Sequence, residues 1–462
     1  MYGSYNYRKK TLNITNEEYS CRETARYVFC YDGRESASAA ELFDGEELSA
    51  DWAKAFIGPF LLIAYEKKTG KLLITQHAFG SGRELYLLNA PDRLLFASSL
   101  REMRQIAGFE FQLNTDVISK YVCHTFLTGY STFINGISKL PAFVTMLFEG
   151  VRLSESFVEL PEPVESAPTD KLQAEYYTTV ALSLYEEAKD IEGPIAQALS
   201  SGYDSNCMLF MLDKLWPERR KETYSIGGVR GVDETKVAEE IAKTYPNTEF
   251  ASAYVSQSTH DAFDEIVFRL EGSVAQIGVF LQYELARLLD SHSVKTVLVG
   301  ECADQVFNIR TYKPIKCEDR FLYIGRNPRE CAAYFILKKN RLMLSSFGIE
   351  ARYPFLSQSM LELGAKTCEL NKHKKRYHIE QCMRMLPSEI SERIGKQGGA
   401  TNPSALFADG ERIYDRIIKM KYYSPKHCLA SAGGLEESLM QYYVSLKSVE
   451  SFEKQFCDKP SM

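Results

Sequence analysis

The sequence predicts a two-part α/β protein: an antiparallel, sandwich-type unit over residues 1–159, then a parallel-sheet unit with helices on both faces over 170–462. Three observations lead there. Up to about residue 159, short alternating segments are separated by Gly, Asn, Asp and Pro turns, the pattern of half-buried strands. The stretch Leu160–Thr169 (LPEPVESAPT) combines three prolines with acids and small residues and reads as a linker. Beyond it strands alternate with helical segments, as a parallel sheet with crossover helices requires.

In order, Phe60–Tyr65 (FLLIAY), Lys71–Thr75 (KLLIT), Leu85–Leu88 (LYLL) and Leu94–Ala97 (LLFA) are strands of the first unit, with turns at Lys67–Gly70 and Asn89–Asp92. In the second, Pro194–Leu199 (PIAQAL) is a short buried strand leading through a glycine turn into a long helix. Glu222–Ile226 is the next strand, and Glu234–Tyr245 has helical spacing and charge pairing. Val279–Leu289 is a helix, Thr296–Val299 a buried strand, and the chain from about 329 onward is mostly helical.

Composition removes several classes. Of 462 residues, 55 are Lys or Arg and 61 Asp or Glu, a formal net charge of −6 that offers no electrostatic footprint for nucleic acid or an anionic membrane. The basic run Lys372–Arg376 (KHKKR) is short and reads as a solvated face. The first twenty residues lack the apolar core of a signal peptide, and the most apolar stretch, Ala55–Tyr65, is too short to span a bilayer. Eleven cysteines lie at irregular spacings without a CxxC pair, so neither a zinc site nor a disulfide framework is indicated, and scattered thiols suit a reducing, cytoplasmic setting.

Four segments carry the chemistry. Ser200-Ser201-Gly202-Tyr203-Asp204-Ser205 joins a strand to a helix. Small residues let the backbone close around an anion, helix amides favour phosphate, and Asp204 is a potential magnesium ligand. It is neither GxxxxGK[ST] nor GxGxxG, and a serine-rich turn with a helix cap is its plain alternative. Val299-Gly300-Glu301-Cys302-Ala303-Asp304 ends a second buried strand, and ligands of open α/β sheets sit beyond such carboxyl ends. Its carboxylates, facing Asp204, suit a divalent cation beside polyphosphate. Gly348–Leu356 (GIEARYPFL), following Asn340–Met343, sets Glu350 close to Arg352, a spacing that suits a structural ion pair. Finally, Arg393–Gly399 (RIGKQGG) places Lys396 in a glycine-rich loop, where a lysine either is solvated or neutralises developing phosphate charge.

Taken together and in this order, these segments resemble the asparagine synthetase superfamily, of the asparagine synthetase, β-lactam synthetase and lasso-peptide cyclase type. The family's SGGxDS loop is matched by Ser200–Ser205 with Ser201 for a glycine. Its GEGxDE loop is matched by Gly300–Gln305 with Cys302 for glycine and Gln305 for glutamate, and its GVExRxPFLD segment is similar to Gly348–Ser357. Its RxK loop resembles Arg393–Lys396 with one extra residue, Asp233-Glu234 match a family loop, and Thr132–Pro141 (TFINGISKLP) looks like its inter-domain signature. Phe56–Met103 resembles the glutaminase domain, but position 2, where the family's nucleophilic cysteine stands, is Tyr2. Cys21 (SCRET) does not resemble the CGI start, the usual Asp-Arg-x-Gly turn reads His77-Ala78-Phe79-Gly80, and no NGE triplet is apparent.

The resemblance implies an Ntn-hydrolase-like α+β sandwich domain that has lost glutaminase activity, followed by a doubly wound PP-loop ATP pyrophosphatase (HUP-like) domain with a helical C-terminal part. It implies ATP and Mg2+, adenylation of a substrate carboxylate, and displacement of AMP by an amine or ammonia. Carried over residue by residue, Ser200, Ser201, Gly202 and Ser205 cradle pyrophosphate, and Asp204 and Asp304 hold Mg2+. Leu199, Ile226, Val299 and Gly300 line the adenosine pocket, Lys396 stabilises the adenylation transition state, and Glu301 orients or deprotonates the amine. Glu350 and Arg352 support the site from behind.

The expectation is a ligase on a small-molecule or peptide carboxylate, as in β-lactam or lasso-peptide biosynthesis, with no nucleic acid or membrane partner. Asparagine formation from aspartate and ammonia is the same-fold alternative. A homodimer and a partner protein supplying substrate both stay open. An inactive nucleotide-binding scaffold would account for Ser201, Cys302 and Gln305, while Asp204, Asp304, Glu301 and Lys396 speak for activity. A tRNA-modifying relative would need a basic face, which the charge does not provide.

Overall fold

A computed structural model describes residues 1–15, 20–34, 47–49, 52, 57–77, 79–80, 83–157, 161, 164, 166–228, 233–307, 315–317, 320–322, 335–371, 375–395, 413–427 and 435–458. Among the described residues eleven strands precede the linker: β1 (Tyr2–Asn6), β2 (Thr11–Thr15), β3 (Ser20–Glu23), β4 (Tyr27–Arg34), β5 (Ile57–Glu66), β6 (Leu72–Gln76), β7 (Tyr86–Asn89), β8 (Arg93–Ala97), β9 (Ser138–Lys139), β10 (Val144–Glu149) and β11 (Arg152–Phe157). They form two antiparallel sheets, ordered β2-β1-β8-β7-β9 and β11-β10-β6-β5-β4-β3. Tyr5, Leu87, Leu94 and Phe96 of one sheet pack on Leu61, Ile63, Leu72, Ile74 and Met146 of the other, the interior that alternating strands produce. On the other face of the larger sheet Phe29, Tyr31, Phe60 and Leu62 close against Trp52.

The hairpin β3–β4 sets Cys21 opposite Cys30, and the two form a disulfide. This corrects the expectation of a chain without disulfides. The hairpin register, which spacing along the sequence does not reveal, creates the pair. Cys207, Cys382 and Cys457 are thiols outside any disulfide.

Two helices, α1 (Leu100–Ala107) and α2 (Ile118–His124), lead away from the sandwich, and α3 (Asp170–Ala188) follows the linker. Of that linker, residues 160, 162, 163 and 165 lie outside the described residues. Then come β12 (Ile195–Ala198), α4 (Tyr203–Leu215), β13 (Lys221–Gly227), α5 (Glu234–Ala242), β14 (Thr248–Tyr254), α6 (Val279–Ser291), β15 (Thr296–Leu298) and α7 (Ala303–Phe307). A small hairpin, β16 (Ile315–Cys317) and β17 (Arg320–Leu322), precedes α8 (Leu337–Ser345), β18 (Glu350–Arg352), α9 (Gln358–Thr367), α10 (Arg376–Met385) and α11 (Leu435–Phe452).

Strands β14-β13-β12-β15-β18, in that order, make one wholly parallel sheet. Ala238, Ile241 and Ala242 of α5 join one apolar cluster and Phe280, Ala286 and Leu289 of α6 another, so helices cover both faces. From β12 the chain steps outward through β13 to β14, then returns to place β15 on the other side of β12. The order therefore reverses between β12 and β15, and ligands of open α/β sheets bind at such a switch point. No helix among the described residues is long and apolar enough to cross a membrane.

Candidate active site

The carboxyl ends of β12 and β15 carry the two loops that the sequence singles out. Leu199 and Val299, both buried, continue the strands, with their amides bonded to the carbonyls of Tyr224 (2.8 Å) and Arg352 (2.9 Å). Ile226 lies at the corresponding end of β13. The chain after β12 then folds on itself. The Ser205 hydroxyl accepts from the Ser200 amide (3.1 Å), the Ser200 hydroxyl accepts from the Gly202 amide (3.1 Å), and Asn206 donates to the carbonyls of Ser200 (3.0 Å) and Gly202 (2.7 Å). Gly202 is the N-cap of α4 and supplies no side-chain cap, and an uncapped helix N-terminus is an end that favours anions.

The second loop presses on the first. A Cβ on Gly300 would stand 3.3 Å from the Met208 sulfur and 3.4 Å from the Ser205 nitrogen, which is why glycine suits this position. Cys302, where the family has glycine, keeps the left-handed conformation (φ 71°), and its carbonyl accepts from the amides of Gln305 and Val306 at 3.0 Å to open α7. Ser201, another departure, is buried. Its hydroxyl donates to the Gly395 carbonyl (3.1 Å) and its own carbonyl accepts from the Gly395 amide (3.0 Å). The first loop is thereby tied to the residue before Lys396. Lys396 itself lies outside the described residues.

Asp204 and Asp304 meet at Lys375. The Lys375 ammonium lies 2.6 and 2.8 Å from the two Asp204 oxygens and 2.7 Å from Asp304. Burial alone would push this lysine's pKa down, but the Asp204 and Asp304 charges outweigh it and hold the pKa up. Burial likewise acts to raise Asp204, and Lys375 with His378 overcomes it to hold that carboxyl well below the usual range. The expectation that residues 372–376 form a solvated face is corrected at Lys375, which is buried, whereas residues 372–374 lie outside the described residues. Charge runs are usually solvated, and the packing of α10 against α4 turns Lys375 inward.

Two carboxylates aimed at one cation are the donor chemistry that a hard divalent cation takes. Among the described residues no group of three or more His, Cys, Asp or Glu is arranged to hold a metal. Phosphate oxygens and water would have to complete the coordination, as Mg2+ accepts readily.

Glu301 stands half-buried in the turn before α7, next to Gly300. Glu350 and Arg352 pair at 3.0 Å on the edge strand β18. Arg352 also reaches the Glu187 carbonyl (2.8 Å) and Asp190 (2.6 Å), at the end of α3 that precedes β12. Asp233 caps α5, accepting from the Thr235 amide at 3.1 Å.

Sequence reasoning missed Lys375, and also His378 and Tyr176. His378 is fully buried, 2.7 Å from Asp204 through Nε2 and 2.7 Å from the Tyr176 hydroxyl through Nδ1. Burial alone would lower its pKa, but Cys382 and Asp204 raise it to about 9. No spacing rule marks these residues, because they come from α3, from α10 and from the residue that caps α10, far from either loop in the chain.

Residues 190–334 match the asparagine synthase family. A glutamine-hydrolysing asparagine synthetase from Zea mays is 26% identical over 184 residues, covering 37% of this chain and 31% of its own length. A glutamine-hydrolysing asparagine synthetase B from Escherichia coli (strain K12) is 25% identical over 227 residues, covering 44% of this chain and 40% of its own length. The chain thus spans well under half the length of these curated relatives. Among solved structures, a U34-tRNA thiolase from Methanococcus maripaludis covers 61% of this chain and 96% of its own at 13% identity, with a TM-score of 0.27, a likeness too slight to bear on function.

Proposed function

We propose that this chain, a member of the asparagine synthetase superfamily, is an ATP-dependent, AMP- and pyrophosphate-forming amide ligase without glutaminase activity of its own. The observation that carries this reading is the convergence of both strand-end loops and Lys375 on the carboxylate pair Asp204 and Asp304. The backbone of Ser200–Ser205 and the first turn of α4 offer amides to the departing pyrophosphate. Leu199, Ile226, Val299 and Gly300 line the place for the adenosine. Mg2+, held by Asp204 and Asp304, would neutralise phosphate charge. Lys375, already poised between these carboxylates, is an internal counter-ion that holds them in place before nucleotide arrives.

A substrate carboxylate attacks the α-phosphorus of ATP, forming an acyl-adenylate and releasing pyrophosphate. An amine then adds to the acyl carbon and AMP departs. Glu301, half-buried at the loop that follows β15, is the group we assign to orient or deprotonate that amine. Lys396, two residues after Ile394 in the segment tied to Ser201, is assigned to the charge developing on phosphate.

The absence of glutaminase chemistry rests on the first unit. Position 2 holds Tyr2, a strand residue paired with Thr15 and Ala97, and the nearest thiol in sequence, Cys21, is bonded to Cys30 and offers no thiolate. The nitrogen would come from ammonia or from an amine on the substrate itself, as in β-lactam or lasso-peptide formation. The test is pyrophosphate release from ATP and Mg2+ with candidate carboxylates, run with ammonia and with glutamine. Release that needs a carboxylate and ignores glutamine supports the proposal; aspartate-dependent release with ammonia would narrow it to asparagine formation. Release with glutamine alone, or none while Asp204→Asn binds ATP as the wild type does, would overturn it.

A further inference from the structure

His378 has no part in the chemistry described so far, yet it is the best-anchored side chain behind the carboxylate pair. It is fully buried in the first turn of α10, with both ring nitrogens engaged: Nε2 at 2.7 Å from Asp204 Oδ1 and Nδ1 at 2.7 Å from the Tyr176 hydroxyl. An ionised Asp204 can only accept, so the proton between them belongs to Nε2. Phe307 stacks on the imidazole with centroids 4.2 Å apart and planes inclined by 15°, while Phe355 meets it edge-on at 5.8 Å. The ring therefore has one orientation.

Two features give that orientation a purpose. Phe307 lies on α7, three residues after Asp304, so the ring that touches one carboxylate is packed against the helix that carries the other. In addition, Asp204 Oδ1 is shared by His378 and Lys375, whereas Oδ2 meets Lys375 at 2.6 Å. A cation that displaces the lysine would find Oδ2 facing it and Oδ1 held back.

We propose that His378 is a positioning residue: by donating from Nε2 to Asp204, braced by Tyr176 and Phe307, it sets the direction and spacing at which Asp204 and Asp304 share one divalent cation. This rests on the reading of the two aspartates as cation ligands given above, and it adds a residue for which the sequence motifs have no place. Buried groups that orient a ligating side chain typically affect metal affinity about tenfold or more.

The experiment uses the full chain and Mn2+ as probe, titrated with and without inorganic pyrophosphate and read by electron paramagnetic resonance. His378→Leu fills the space without a donor, and His378→Gln returns an amide N–H close to the Nε2 position. We expect His378→Leu to weaken Mn2+ binding about tenfold and His378→Gln to recover it to within about threefold, at similar denaturation midpoints. A merely structural histidine would instead shift both midpoints and leave the two variants alike in affinity. Should His378→Leu not fold, Tyr176→Phe, which removes only the hydroxyl behind the ring, serves in its place with a loss of about threefold. Wild-type affinity in His378→Leu, or in Tyr176→Phe when it stands in, overturns the positioning role provided Asp204→Asn is impaired. If Asp204→Asn also binds Mn2+ like the wild type, the reading of the aspartates as ligands falls as well, so the two failures are told apart.

Discussion

Lys375 shows how much can rest on one side chain at the residue scale. It bridges the carboxylates of Asp204 and Asp304, the first of which burial would otherwise push toward protonation. Lys375→Met leaves them facing each other and should cost about 3 kcal/mol in metal-free buffer, measured by urea denaturation, with part of the loss recovered when Mg2+ is added. A second residue-scale effect lies between the two units. Glu271 accepts from the Leu100 amide at 2.8 Å, and burial pushes its carboxyl up to about 7. A folded-state pKa above the unfolded value near 4.3 means that the stability present at low pH is lost as pH rises through about 7. Stability should therefore fall between pH 5 and 8 by an amount on the order of 2 kcal/mol, and Glu271→Gln should flatten that slope.

At the scale of elements, the loops after β12 and β15 work as a matched pair. Two of the departures from the family pattern have a local consequence here: Ser201 turns its hydroxyl to Gly395, and Cys302 retains a backbone conformation that glycine adopts without strain. A β-branched residue at 302 would meet that conformation with a further clash. Cys302→Val should lose about 1–2 kcal/mol more than Cys302→Gly in chemical denaturation. The motif residues themselves were legible in the sequence because each sits at a strand end, where small residues and a carboxylate recur within six positions. Lys375, Tyr176 and His378 were not, since their relevance comes from α3 and α10 packing beside α4.

Across the whole molecule, the two units are held by buried charge as well as by apolar contact. Glu84 of the first unit lies between Lys139 of the same unit (3.2 Å) and Lys338 of α8 (3.3 Å), all three buried. Arg341, one turn along α8, reaches the Pro59 carbonyl at 3.0 Å and Asp32 at 3.4 Å. Between them Asn340 accepts from the buried Tyr353 hydroxyl at 2.9 Å. The first unit thereby anchors the helix that leads to β18 of the parallel sheet, which gives it a structural task independent of glutamine. Glu84→Gln strands two buried lysines and should cost about 3–5 kcal/mol, splitting one unfolding transition followed by tryptophan fluorescence and circular dichroism into two.

The order of strands and helices, the parallel character of the second sheet and the two strand-end loops follow from local pattern: hydrophobic period, turn residues and small residues beside carboxylates are properties of neighbouring positions. The Cys21–Cys30 bond, the inward turn of Lys375, the Tyr176–His378 brace and the Glu84–Lys338 contact between units join positions from 9 to 254 residues apart. Such pairings depend on strand register and helix packing, and a polar side chain has the same local signature whether it ends in water or against a partner across the core.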